Sequence, residues 1–267
     1  MTRKRTKHKL RKIARRRQSD WWGRVFDELF FMYGSGARGV NPKFLFPTGY
    51  TGFAGNSFSA PDTDHIQYGG GKVKATVTTS ETMNLTEIDK FRTKAVMMDE
   101  VTGTAGTDGG TKNPAIQPIM VDGEEHHVCV MSPYQAYNVR VSTTGGQWLD
   151  LQKSLAAAIG TKSKIFKGGM GMHNNVVLHE HKSVIRFSDY GSGTNLPAAR
   201  ALFLGEQAMV CAFGSPGTGL RFGWHEETRD NGNQLIITSS TIVGVEKVTF
   251  NGKDYGVGAI DTYATQA

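Results

Sequence analysis

The chain has 267 residues, a formal net charge of +7 and two cysteines, enough for one large domain or two interleaved ones. No apolar run approaches the ~18 residues of a membrane span. The charged N-terminus is followed by no apolar segment with a cleavage site, so no secretory signal is expected there.

The charge is concentrated at the start. Arg3, Lys4, Arg5, Lys7, Lys9, Arg11, Lys12, Arg15, Arg16 and Arg17 stand in a stretch without an acid. The remaining 21 Lys and Arg face 24 Asp and Glu, so the rest of the chain is about −3. A basic arm on a mildly acidic body points to contact with a polyanion or with the acidic surface of another copy. From Thr6 to Tyr33 the pattern predicts one helix, roughly 40 Å long. Its second half turns aromatic, and Leu10, Ala14, Trp21, Val25 and Met32 fall on one side, although Arg17 also falls inside that stripe. Trp21, Val25, Leu29 and Met32 are expected to bury against a sheet made by the C-terminal strands. Gly34-Ser35-Gly36 ends the helix.

Residues 34–71 are rich in Gly, Pro, Ser and aromatics without helical period. They read as a long ordered segment pinned by Phe44, Phe46, Tyr50, Phe53 and Phe58, and one that would gain from resting on a neighbouring molecule. A short strand is expected over 73–77. Asn84 with Glu87 then caps a helix. Residues 102–122 look like an exposed excursion, and 127–131 like a buried strand. Ser132-Pro133-Tyr134-Gln135 is a strong helix start, and a further helix is expected over 147–159. Strands are expected at 165–166 and 176–178. The apolar run 198–213, broken at Gly205, reads as strand, turn and strand. Two strand-like runs, 220–227 and 235–243, flank Asp230-Asn231-Gly232-Asn233, a hairpin signal. The β pattern continues over 247–250 and 257–263.

No catalytic constellation emerges. His126 and His127, adjacent on a strand, point to opposite faces, while His179 and His181 share a face but offer only two ligands. No metal site and no cofactor are expected. Gly69-Gly70-Gly71-Lys72 fails the phosphate-loop pattern at both ends. Cys129 and Cys211 each sit in an apolar run and read as buried thiols, in keeping with a reducing compartment.

The run Trp21-Trp22-Gly23-Arg24-Val25-Phe26-Asp27-Glu28-Leu29-Phe30-Phe31, ending in Ser35-Gly36-Ala37-Arg38-Gly39, resembles the major capsid proteins of tailed phages of the coliphage N-four type. Similar stretches follow in order. They are residues 85–89, 130–136 with 148–152, 169–172 with 176–180, 198–205, and 243–247 with 254–257. Residues 40–72 and 102–122 match least. The resemblance implies an α+β, HK97-like capsid fold with a long spine helix, a peripheral β-sheet domain and an axial α/β domain. It divides the chain into 1–80 (peripheral domain, spine helix 6–33 and meandering loop), 81–219 (axial domain) and 220–267 (strands returning to the peripheral domain, and the chain end). The family carries an N-terminal arm and an extended loop ahead of this helix, whereas here the helix is expected within a few residues of Met1.

The implied function is structural: a major capsid protein that self-assembles, as hexamers and pentamers, into the icosahedral shell enclosing double-stranded DNA. The implied setting is the virion, assembled in the host cytoplasm. Portal, scaffold or decoration proteins and packaged DNA are the implied partners, with no membrane and no enzymatic activity. The competing class is an architectural DNA-binding protein whose function is the basic arm itself.

Overall fold

The computed structural model describes residues 10–98, 115–121, 123–142, 170–215 and 221–265. The helix expected over 147–159, the strand at 165–166 and residues 102–114 and 122 of the excursion lie outside the described residues, as do Arg3, Lys4, Arg5, Lys7 and Lys9.

In chain order the elements are α1 (Leu10–Ser35), the two-residue strands β1 (Gly52–Phe53) and β2 (Asn56–Ser57), β3 (Ile66–Tyr68), α2 (Leu85–Val96), β4 (Ile119–Val121), β5 (Glu124–Met131) and α3 (Pro133–Val141). There follow β6 (Gly171–His173), β7 (Val176–Glu180), β8 (Arg186–Tyr190), β9 (Leu196–Leu204), β10 (Met209–Gly214), β11 (Phe222–Arg229), β12 (Gln234–Lys247), β13 (Thr249–Phe250), β14 (Lys253–Asp254) and β15 (Val257–Tyr263). Residues 73–77, expected as a strand, form a 3₁₀ turn over Lys74–Thr76 instead. The Thr76 hydroxyl bonds back to Val73 and closes that turn locally.

The main sheet has the order β3-β15-β9-β5-β7-β6, with β4 paired to β5 and β8 paired to β9. Central β9 is buried along most of its length, which is why it reads as an almost unbroken apolar run. Its side chains alternate between two cores. Ala201 and Phe203 join Ile88, Phe91, Ala136 and Cys129 on the face covered by α2 and α3. Leu202 joins Leu29, Met32 and Val257 on the face covered by α1. Contact with α2 is close: a Cβ on Gly258 of β15 would lie 2.3 Å from the Phe91 ring.

The two helices on that face start as their sequences dictate. Asn84 accepts from the Glu87 amide at 2.9 Å. Ser132 and Gln135 cap each other's backbone at 3.2 and 3.0 Å. Buried Gln135 also donates to the Ala199 carbonyl and the Thr262 hydroxyl, so one side chain caps a helix and ties it to the sheet.

The second sheet is a ribbon. β12 pairs along its C-terminal part with β10, from Met209↔Lys247 to Gly214↔Ile242, and along its N-terminal part with β11, from Phe222↔Thr241 to Arg229↔Gln234. Asp230, Asn231 and Gly232 all have positive φ at the β11–β12 turn, as the Asp-Asn-Gly composition favours. At ~3.3 Å per residue the fourteen residues of β12 extend about 46 Å. Helix α1, twenty-six residues and about 39 Å, runs beside the ribbon.

Candidate assembly surface: the spine helix and its basic arm

The inward stripe of α1 runs through half-buried Ala14, Gln18 and Trp22 to buried Val25, Leu29 and Met32. Val25, Leu29 and Met32 are buried, but Trp21 is 46% exposed and Leu10 is exposed as well. The expected placement of Trp21 is therefore corrected: the neighbouring Trp22 makes the contact. The Trp22 ring packs edge-on to Phe222, and its indole N–H reaches the Ser239 hydroxyl at 2.9 Å. Gln18 donates to the Ile237 carbonyl of β12 at 3.1 Å. A polar residue in the stripe, serving a strand carbonyl, is what hid the true register. The buried side chains meet Val245 of β12, Val257 of β15 and Leu202 of β9, so their partner is not the C-terminal strands alone.

The described part of the arm divides by helical position. Arg11 forms an ion pair with Glu226 of β11, its Nε donating at 2.8 Å. That guanidinium holds the Glu226 carboxyl below its usual range. Arg15 lies 5.0 Å over the Trp224 ring. Lys12, Arg16 and Arg17 are exposed and form no ion pair among the described residues.

Where α1 ends, the chain is held tightly. Ala37 N–H returns to the Met32 carbonyl and Gly36 N–H to Tyr33, a Schellman closure with Gly36 at φ 66°. A Cβ there would sit 2.1 Å from the Ser59 carbonyl oxygen. Arg200 of β9 then clamps the helix end. Its guanidinium makes a two-pronged contact with Asp261 of β15 at 2.8 and 2.6 Å, and its third nitrogen donates to the Ser35 carbonyl at 2.7 Å. Tyr190 O–H donates to the same carboxylate at 2.5 Å. Burial, reinforced by Asp261, pushes the Tyr190 phenol pKa up. Because Arg200 and Asp261 are cross-strand partners, their side chains share the face that α1 covers.

The long segment after α1 rests on its own chain. Arg38 donates to the carbonyls of Phe46, Asn41 and Gly39 and lies 4.6 Å over the Phe44 ring. Glu28 accepts the Leu45 amide at 2.7 Å. Asn41 bonds both Val184 and Arg186, and the Tyr33 hydroxyl bridges Asn56 and Phe53. Phe46, Tyr50, Phe53 and Phe58 pack together around these bonds.

The histidines and cysteines take structural places. His127 bonds the Ile116 carbonyl at 3.1 Å and stacks on Phe203. His181 stacks on Phe31. Among the described residues no group of three or more His, Cys, Asp or Glu could hold a metal, and no helix is long and apolar enough to cross a membrane. Both cysteines are free thiols. Burial pushes Cys129 up to about 12. Cys211 is exposed, against expectation, because β10 belongs to the two-faced ribbon rather than to the doubly covered sheet.

Residues 1–266 match the family described as phage capsid protein. This chain belongs to that family. Among solved structures, this phage capsid protein is similar to the capsid of Ralstonia phage GP4, with 48% identity and a TM-score of 0.87 over 100% of this chain and 70% of that one. The capsid of cyanophage Pam1 aligns at 18% identity and TM-score 0.68, covering 98% of this chain and 71% of that one. The head of Helicobacter pylori bacteriophage KHP40 aligns at 16% and 0.53, covering 96% and 69%. The latter two speak for the fold alone. No curated protein matches.

Proposed function

We propose that this phage capsid protein is the major capsid protein of its phage, one of many identical copies that self-assemble into the icosahedral shell around double-stranded DNA. The observation that carries this reading is the 48% identity to the capsid of Ralstonia phage GP4 over the whole of this chain. The geometry agrees with it. A rigid helix and ribbon about 40 Å long, locked to a doubly covered sheet, is a unit that transmits contacts from one neighbour to the next.

In this reading the fold is of the HK97-like kind, and the protein stands with the coliphage N-four type. Residues 1–80 with the strands of 220–267 form a peripheral domain around α1, and 81–219 form the axial domain. Two strand pairings tie the parts together: β15 with β9, and β10 of the 81–219 stretch with β12 in the ribbon. The protein acts without catalysis, metal or cofactor. Its partners are its own copies in hexamers and pentamers, the packaged DNA, and portal, scaffold or decoration proteins, with assembly in the host cytoplasm. Electron microscopy of the purified protein tests this directly. Closed shells, or hexamers and pentamers, are expected. A strictly monomeric species at high concentration by light scattering, with no particles in the images, overturns it.

A further inference from the structure

Strand β5 carries opposite chemistry at its two ends. At its start, the β4–β5 hairpin presents Met120, 60% exposed, directly across from Glu125. Cross-strand partners share a face, so an apolar and an acidic side chain stand together there. Glu124 points to the opposite face of the hairpin, its side chain 75% exposed and 3.6 Å from His126. Glu125 is exposed and forms no ion pair among the described residues.

At its other end, β5 runs into Ser132, Pro133 and Tyr134, one wall of a cleft of about 720 Å³. The facing wall is Arg24 of α1 with Lys43 and Phe44, and Lys182 and Arg186 line it too. Four basic side chains, Arg24, Lys43, Lys182 and Arg186, stand in it against two acids: Glu28, which lies 3.8 Å from Arg24 and accepts the Leu45 amide, and half-exposed Asp27. Lys43 and Lys182 are exposed and form no ion pair among the described residues. The cleft thus offers an apolar floor of Phe44, Pro133 and Tyr134 and two more basic than acidic side chains.

The eight residues of β5 hold these ends about 25 Å apart, so they do not meet within one copy. We propose that the β4–β5 tip of one copy docks into this cleft on a neighbouring copy. Glu125, on the Met120 face of the hairpin, and Glu124, on its opposite face, then meet Lys43 and Lys182 on either side of the cleft, and Met120 rests on Phe44, Pro133 and Tyr134. Both surfaces belong to one chain at opposite ends of one strand, so the contact is head-to-tail and repeats from copy to copy, as a ring or lattice requires. The charges set register and exclude wrong partners, while the flexible Met side chain fills the apolar floor.

The inference rests on the shell reading, and the test separates the two. Wild type, Lys43→Glu/Lys182→Glu, Glu124→Lys/Glu125→Lys and the quadruple variant are assembled side by side and counted as particles. Wild-type shells establish the shell reading; without them that reading fails first. Each double reversal is expected to keep the wild-type melting temperature and to lower particle yield at least about tenfold, since like charges then face each other. The quadruple variant, complementary again, is expected to recover. Wild-type yield from either double variant, or no recovery in the quadruple, overturns the proposal. Should a reversal fail to fold, Glu125→Cys/Lys43→Cys in a Cys211→Ser background replaces it. A ladder of disulfide-linked copies is then expected on a non-reducing gel, and monomer alone overturns the contact.

Discussion

Arg200 and Asp261 show what a buried charge does in this chain. The pair is buried, with Arg200 engaged at once by a carboxylate, a helix-end carbonyl and the Phe187 ring. Breaking such a pair by removing one partner leaves a charge in the core, which costs about 3–5 kcal/mol, whereas replacing both by apolar residues is often neutral. Arg200→Met is therefore expected to destabilise by that amount in urea unfolding, and Arg200→Met/Asp261→Leu by much less. His65 is buried differently. It is 0% exposed, neither ring nitrogen has a hydrogen-bond partner among the described residues, and Asp62, Asp64, Asp254 and Lys247 surround it. Burial, which outweighs the attraction of Asp254 and the other acids, lowers its pKa. The unfolded chain, near 6.5, then takes up the proton more readily than the native one. The His65 contribution is full above about pH 6.5 and is lost as pH falls from there towards the lowered native value. Urea midpoints at about pH 7 and about pH 5 check this: His65→Leu should lose less stability across that interval than the parent chain.

The register of α1 is where sequence pattern and packing part company. Val25, Leu29 and Met32 were legible because they repeat at helical spacing and are apolar. Trp22 was not, because its neighbour Trp21 fits an idealised stripe equally well, and Gln18 interrupts the apolar signal. Only the ribbon, with Ser239 and the Ile237 carbonyl awaiting donors, decides between the two indoles. Leu29→Ala should cost on the order of 2–5 kcal/mol, as fully buried leucines do. Trp22→Ala should cost more than Trp21→Ala in the same urea titration, because it also leaves the Ser239 hydroxyl without its donor. Strand β9 was legible for the opposite reason: a strand covered on both faces is apolar throughout and gives no room for ambiguity of face. The clamp at Arg200 was invisible, since a lone arginine in an apolar run names no partner; Asp261 is sixty-one residues away in sequence. The β4–β5 tip was missed as well, because its acidic pair gains meaning only when strand pairing brings Met120 opposite Glu125.

At the scale of the whole molecule the open question is where the basic arm goes. The ten cations have no acid among them to offset their charge, and of the five that are described the fold pairs two. Arg11 goes to Glu226 and Arg15 to Trp224, both on the chain's own ribbon. An acidic partner was expected, but for Arg11 it lies within the same copy. Helical geometry turns Lys12, Arg16 and Arg17 to other sides, and these carry the charge available to a neighbour or to DNA. Two sets of variants separate the roles. Arg11→Gln/Arg15→Gln should loosen the N-terminal turns of α1 from the ribbon, read as faster amide exchange there, with no change in how assembly responds to DNA. Lys12→Gln/Arg16→Gln/Arg17→Gln should leave stability within about 0.5 kcal/mol, as exposed substitutions do. If these three face phosphates, the log–log slope of DNA affinity against salt should flatten by about 2–3, each lost contact contributing roughly 0.7–0.9. If they face acidic side chains of adjacent copies, shells should fail to form in the absence of nucleic acid and added DNA should not rescue them. The mildly acidic remainder of each copy favours the second outcome. Unchanged assembly together with an unchanged salt slope would mean that the outward half of the arm is a solvated helix end.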